Sequence, residues 1–333
     1  MKNLIFEALA FENGGEPSPS MQNMKNPKQV RDVYLKNAFI SLASVKAHNK
    51  NQRFTDVAFV VNFKLGKEWR KRFEEEKILV WECPFECFKM PLSVTYALSY
   101  YKICAFQYVL VQHHYDNYCF IDCDTFGVSS FEDIWEEVKN AFLVIPNESC
   151  LSAGVRREIN DIYNRIYRDG RKIPHISSGF IAGTKNDLEI VLQKCREAYG
   201  MIMEKGDIMP QAGDEIIWSL ALGKTNLKVY SPKAYVLLAN IGFREYWVDK
   251  VNYADPDIIL WHLPAEKRYA LIWAYEYYEK HRKLPKLRLM AKACRIRRIY
   301  NRFNLLSPIV LLKDPTVFLR NMEKLKKYGQ RKR

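Results

Sequence analysis

The sequence predicts an α/β protein with a mainly parallel sheet flanked by helices, and three observations carry that prediction. Short apolar, β-favouring runs alternate with stretches of helical periodicity, which is how parallel strands joined by crossover helices read. One of those runs, Tyr118-Cys119-Phe120-Ile121, stops abruptly on Asp122-Cys123-Asp124, as a buried strand does at its mouth. The 333 residues can bury a sizeable core, and the apolar (48%) and charged (27%) fractions are those of a soluble globular protein.

Taken in order, residues 3–11 read as a first strand and 12–20, with Gly14-Gly15 and two prolines, as a long loop. Val30, Val33, Tyr34, Ala38, Phe39 and Leu42 recur at helical spacing on one face. Residues 55–61 form a second strand, 66–76 a charged surface helix and 78–81 a third strand. Pro91, at its favoured first position, predicts a helix to residue 101 that leads into the acidic strand. Beyond the acids come a helix near 131–140, a strand at 142–145 and a polar, basic helix at 156–167. Residues 174–184 look strand-like with small residues at the entrance, which lets a ligand approach the backbone or marks a β-bulge. A helix over 187–199 follows. Asp214-Glu215 then opens an apolar helix, where two acids also suit an N-terminus. Strands near 228–230 and 234–238 lead to Ile258-Ile259-Leu260-Trp261, a run that ends on His262.

Charge separates the chain into two parts. The formal net charge is +14, yet from Lys280 onward there are eighteen lysines and arginines against two acids, so the part before it is close to neutral. A catalytic domain over 1–275 and a basic helical tail over 276–333 are therefore expected. In the tail, Leu287, Leu289, Met290, Ala293, Ile296, Ile299, Tyr300 and Phe303 are interleaved with Arg288, Lys292, Arg295, Arg297, Arg298 and Arg302. That is the pattern of an amphipathic helix lying on an anionic membrane surface, or of a solvated helix packed on the catalytic domain. No signal peptide and no membrane-spanning run is read, so a cytoplasmic protein, peripheral on the inner face of the membrane, is expected. Eight cysteines fit buried thiols in a reducing compartment. Cys83-x-x-x-Cys87 and Cys119-x-x-x-Cys123 lack the usual spacing of zinc ligands.

The acids at the strand end carry the chemistry. If the backbone stays extended through Asp124, both carboxylates face one side and together hold a hard cation, which keeps sites free for phosphate oxygens. The plainer alternative is that they cap the helix begun near Ser129. His262 ends an apolar run as Asp122 does, and its imidazole can complete a site for Mn2+. Lys267 and Arg268 beside it suit phosphate.

The order of these motifs resembles the GT-A nucleotide-sugar glycosyltransferases, closest to family 8, the bacterial lipopolysaccharide galactosyltransferase and glycogenin type. The resemblance runs from about Pro91 to Arg268. It implies a GT-A, Rossmann-like sheet with Mn2+ (or Mg2+) on Asp122, Asp124 and His262. Ser177-Ser178-Gly179 matches the segment that touches the donor sugar, and Asp214-Glu215 matches the family's Asp-Gln pair. Where the family carries a donor-binding Arg, this sequence departs and offers Ser99, with Lys102 three residues later. The sequence departs from the pattern at Ser177, at Glu215 and in the Leu263-Pro264-Ala265 that follows His262.

The implied activity is transfer of a hexose (EC 2.4) from a nucleotide diphosphate sugar, a UDP-sugar being expected, to a hydroxyl of a glycan or lipid-linked glycan. The setting would be lipopolysaccharide, capsule or other surface polysaccharide synthesis. Asp214 or Glu215 would serve as general base for an inverting attack or as an orienting group for a retaining one. Lys102, Lys267 and Arg268 would face the donor. Two other classes compete. A nucleotidyltransferase would show a Gly-rich basic loop near the first strand, where Gly14-Gly15 lies between acids. A nucleic-acid-binding protein would interleave its cations with a recognition module, and none is read, so no nucleic acid is expected as a partner.

Overall fold

The computed structural model describes residues 1–12, 24, 26–50, 54–147, 152–208, 210–232, 236–238, 250–251, 257–294 and 300–301. The chain begins with two parallel crossovers. Strand β1 (Asn3–Leu9) leads through α1 (Pro27–His48) to β2 (Thr55–Val61), and α2 (Lys67–Glu75) carries the chain on to β3 (Leu79–Glu82). The helix α3 (Tyr101–Gln112) precedes β4 (Asn117–Ile121), which pairs parallel with β1. Next come β5 (Thr125–Gly127), α4 (Glu132–Glu137), β6 (Phe142–Pro146), α5 (Ala153–Tyr167) and β7 (Ile176–Thr184). Helices α6 (Lys185–Lys205) and α7 (Asp214–Leu222) and strands β8 (Val229–Tyr230), β9 (Val236–Leu238), β10 (Lys250–Val251) and β11 (Leu260–His262) follow. The described chain closes with α8 (Ala270–His281), α9 (Leu287–Ala293) and β12 (Tyr300–Asn301).

The central sheet has the order β3-β2-β1-β4-β7-β6-β8, and every pairing is parallel except the two made by β7. This is the mixed α/β, mainly parallel sheet that the alternating pattern predicts. All five residues of β4 are buried because both sheet faces are covered. Tyr118 and Phe120 point to a core shared with Phe6, Phe106 and Trp218 under α3, α6 and α7. Cys119 and Ile121 point to the opposite core, shared with Phe39, Phe59 and Phe73 under α1, α2 and α8. A smaller sheet, β5-β11-β9, continues from the end of β4, and β12 pairs with β10.

Two local expectations are corrected. The helix predicted over 91–101 is instead a run of turns, a 3-10 turn at Ala97–Tyr100 and then α3. Tyr96 takes the left-handed conformation (φ 59°) and stops any helix started at Pro91. The helical periodicity lies further on, in Ile103, Phe106, Val109 and Leu110, all buried. The extended course expected through Asp124 also fails, because β4 ends at Ile121 and the chain turns at Cys123-Asp124 before β5. Within residues 174–184 the pairing with β6 is irregular: the register shifts between Val144, opposite Ile181, and Ile145, opposite Ser177.

The basic segment expected as a tail lies outside the described residues beyond Cys294, apart from Tyr300 and Asn301. Its earlier part is packed, with Tyr278, Met290 and Cys294 buried in the same core as β1 and α1. Residues 13–20 of the expected loop, including Gly14-Gly15, and residues 234–235 of an expected strand also lie outside the described residues. Among the described residues, no helix is long and apolar enough to cross a membrane.

Candidate functional site

The mouth of the parallel strands opens into a cavity of about 640 Å³, in the range that takes a small organic ligand. Parallel α/β sheets bind ligands beyond the carboxyl ends of their strands, and this cavity lies there, bordered by Ala8–Phe11 at the end of β1 and by Asp122 after β4.

Backbone pairing delivers the three metal-ligand candidates. Asp122 follows β4, and its N–H donates to the Gly179 carbonyl of β7 at 3.1 Å. The β5–β11 register sets His262 opposite Thr125, and the Leu263 N–H donates to the Asp124 carbonyl at 2.7 Å, which locks His262 beside Asp124. His262 Nε2 is then 3.3 Å from Asp124 Oδ1 and 3.7 Å from Asp122 Oδ2. Each aspartate gives its other oxygen to a lysine: Asp122 Oδ1 is 2.7 Å from Lys102 Nζ, and Asp124 Oδ2 is 2.9 Å from Lys267 Nζ.

One ligand atom from each of Asp122, Asp124 and His262 lies within 4.8 Å of the others, so this group could hold a divalent metal ion. Two carboxylate oxygens and one imidazole nitrogen suit a hard or borderline cation such as Mg2+ or Mn2+. The acids do not cap α4, whose N-cap is Phe131.

Burial and charge set the ionisation of the group. Asp124 is 2% exposed. Burial opposes its charge, but the Lys267 ammonium and the His262 ring outweigh it and hold the carboxyl far below the usual range. Burial likewise opposes the charge on Lys102, while Asp122, Asp214 and Glu215 keep it an ammonium. Burial pushes Asp214 up to about 6; Lys102 works against that rise, and the charges of Glu215 and Asp122 add to it.

The opposite wall comes from the start of α7 and of β7. Gly213, with φ +65°, turns the chain into α7 where a Cβ would meet Ser99 Oγ at 2.5 Å. Asp214 N–H donates to that Ser99 oxygen at 3.0 Å. Glu215 Oε2 is bonded to His175 Nε2 at 2.6 Å, and its Oε1 accepts from the Ser178 N–H at 3.4 Å. Lys102 Nζ donates to Ser178 Oγ at 3.1 Å and so ties this wall to Asp122.

Of the expected donor-binding residues, Lys102, Ser177, Ser178 and Lys267 line the cavity, as do both α7 acids, and Gly179 packs against His262. Arg268 is not among the lining residues. Sequence reasoning missed two groups. His175 carries no signal of its own. Glu7 does, as an acid inside the apolar run of β1. It is fully buried, and burial raises its carboxyl well above the usual range; the Ser41 hydroxyl opposes the rise, and Asp122 and Asp124 add to it.

No protein-family model matches the chain, and no curated protein matches it in sequence. Among solved structures it is similar to the galactosyltransferase LgtC in complex with donor and acceptor sugar analogues, at 14% identity and TM-score 0.48, over 71% of this chain and 75% of that one. It is also similar to the apo form of mouse xyloside xylosyltransferase 1, at 11% identity and TM-score 0.48, over 79% and 97%. A third is the apo bifunctional glycosyltransferase WbbM, at 12% identity and TM-score 0.48, where the match spans 86% of this chain and 45% of the other.

Proposed function

We propose that this chain is a metal-dependent glycosyltransferase of the GT-A type that moves a hexose from a nucleoside diphosphate sugar, a UDP-sugar first, to a hydroxyl of a glycan. The observation that carries this reading is the convergence of Asp122, Asp124 and His262 on one cavity whose other wall holds Asp214 and Glu215.

In the reaction the bond from the anomeric carbon to the diphosphate oxygen breaks, and its electron pair leaves with the diphosphate. A bond forms from the acceptor oxygen to that carbon, and the acceptor's proton passes to a base. Negative charge therefore grows at the leaving oxygen and must be met there as the transition state forms. A Mn2+ or Mg2+ ion on Asp122, Asp124 and His262 would supply charge at the diphosphate. Lys102 and Lys267, fixed beside the two aspartates, keep positive charge at the same mouth. Ser177 and Ser178 border the expected place of the sugar, while the missing side chain of Gly179 makes room for the His262 ring. Glu215, aimed by His175 and the Ser178 N–H, is placed to take the acceptor's proton or to orient the sugar. Burial raises the pKa of Asp214 beside it to about 6.

The basic segment past Cys294 supports an acceptor carried on an anionic membrane surface, as in assembly of a surface polysaccharide. Truncation after Cys294 should abolish sedimentation with anionic vesicles while leaving donor hydrolysis intact.

Screening UDP-, GDP-, CMP- and dTDP-sugars with Mn2+, scored by hydrolysis and by thermal shift, tests the main reading. At least one should be turned over in a chelator-sensitive way. Binding of none of them, with or without metal, would remove it.

A further inference from the structure

Among the described residues, those other than glycine with a positive φ are Lys77, Phe88, Tyr96, Arg168 and Arg282. Helix ends account for three of them. Lys77 follows the C-cap of α2, and Arg168 and Arg282 are the C-caps of α5 and α8, where a left-handed residue is an ordinary way to stop. Phe88 is buried and its ring packs edge-on against Tyr199, so the core holds it. Tyr96 has neither reason. At φ 59° it precedes the 3-10 turn instead of closing a helix, and it is 42% exposed while lining the cavity.

The surroundings fix that conformation. Val94 and Ala97, both buried, anchor the loop on either side and leave Thr95 and Tyr96 exposed. The Tyr96 carbonyl accepts from the N–H and from the hydroxyl of Ser99, each at 2.8 Å. The Thr95 hydroxyl donates to Gln211 Oε1 at 2.8 Å. A Cβ on Gly213 would stand 2.9 Å from the Tyr96 Cβ, so the glycine that opens α7 is also the space that Tyr96 uses. A bulky residue in this region is an outlier, and such strain persists where neighbours over-determine it, which happens most at ligand sites.

The position of Tyr96 indicates the ligand. Its Cβ lies against Gly213, immediately before Asp214 and Glu215, on the wall across from Asp122, Asp124 and His262. In the glycosyl-transfer reading, on which this inference rests, the diphosphate belongs at the metal wall and the acceptor hydroxyl at Glu215. The rest of the acceptor then meets the loop that carries Tyr96. A pyranose with axial hydrogens on one side offers an apolar, weakly positive face, which suits the negative face of an aromatic ring. Its hydroxyl rim needs a few placed polar groups, and Thr95 and Gln211 also line the cavity.

We propose that Tyr96 is a binding residue for the acceptor, a platform for the C–H face of a β-gluco- or β-galactopyranoside unit, with Thr95 and Gln211 at its hydroxyl edge. The strained backbone is the means of presenting the ring to the cavity instead of to the core.

Saturation-transfer NMR on the full-length protein with Mn2+, UDP and methyl β-galactopyranoside or methyl β-glucopyranoside tests it. Transfer to the ring C–H protons of at least one glycoside is expected for the parent and for Tyr96→Phe. In Tyr96→Asn the glycoside Kd should rise by about tenfold, the worth of one aromatic contact, while transfer to the uracil protons of UDP persists. Asparagine accepts the left-handed conformation, so the melting temperature of Tyr96→Asn should rise by about 2 °C as strain is released. The proposal is overturned if the parent passes saturation to neither glycoside, or if Tyr96→Asn keeps the parental Kd. It is equally overturned if Tyr96→Asn loses the uracil signal, which would make Tyr96 a nucleotide contact, or if a lower melting temperature accompanies the lost affinity. Glycoside transfer in a parent that passes none to uracil would count against the UDP donor and not against Tyr96.

Discussion

A Cβ on Gly179 would stand 2.5 Å from Cε1 of His262 and 3.2 Å from Asp122 Oδ2. The small residue in β7 is therefore the space in which the imidazole sits, and it reaches the metal candidates from a strand that contributes no ligand. Gly179→Ala should push His262 out of register with the aspartates at an overpacking cost of about 1–3 kcal/mol. The fold should survive, while apparent Mn2+ affinity falls by about 10–100-fold, the usual loss when a ligand's support is removed. Isothermal titration with Mn2+ decides it, and parental affinity in the variant would show that His262 needs no such space.

Lys267 and Asp124 are buried together, so removing one strands the other. Lys267→Met should destabilise the protein by about 3–5 kcal/mol at pH 7, the cost of leaving a buried carboxylate without its ammonium. Asp124→Asn added to it should recover much of the loss. The folded carboxyl lies below its unfolded value, so the pair's contribution is present above about pH 4 and fades as pH drops below that. The gap in urea midpoint between parent and single variant should be smaller at pH 3 than at pH 7. An equal gap at both values would assign the loss to packing of the lysine stem.

Asp214 works in the opposite sense. Its folded pKa is raised to about 6 from an ordinary 3.8, so the fold prefers its neutral form. Below 3.8 both states are protonated and the group contributes nothing. Stability then falls as pH rises from 3.8 to about 6 and stays lower above. Asp214→Asn should remove that penalty and stabilise the protein at pH 7.5 by up to about 3 kcal/mol, with little change at pH 3.5 and with turnover reduced. Unchanged stability at pH 7.5 would mean that the carboxylate is compensated there by Lys102.

Much of this was legible in the sequence because the physics behind it is local. A strand buried on both faces must be an unbroken apolar run, and Asp122 ends that run where the sheet meets the cavity. His262 was legible for the same reason, at the end of β11. Their meeting was expected only from the family resemblance, since it depends on the long-range β5–β11 pairing and on a turn at Cys123-Asp124 that no local pattern announced. The helix expected at Pro91 misled because proline marks a start only where the next residues continue. Tyr96 does not, and the turn it makes places Ser99 against Asp214. His175 reads as one more histidine until β7 and α7 bring it against Glu215. Glu7 alone among the missed groups left a visible trace, as a charged residue in the middle of a buried strand.

The last prediction separates holding from reacting across the cavity. Glu215 is aimed by a 2.6 Å bond to buried His175, and this pair is remote from the Asp122, Asp124 and His262 group except through Ser178 and Lys102. Glu215→Gln keeps the shape and removes the base, so turnover should fall by about 10²–10⁴-fold, the range of a lost acid–base group, with Mn2+ and nucleotide diphosphate affinity unchanged. His175→Phe leaves Glu215 with its carboxylate but without its anchor, so turnover should fall less and affinity again hold. His262→Ala should do the reverse and weaken Mn2+ and nucleotide together. Calorimetric titration and single-turnover kinetics on the three variants distinguish these outcomes. If Glu215→Gln lost nucleotide affinity as His262→Ala does, both walls would serve binding and the base would have to be sought elsewhere in the cavity.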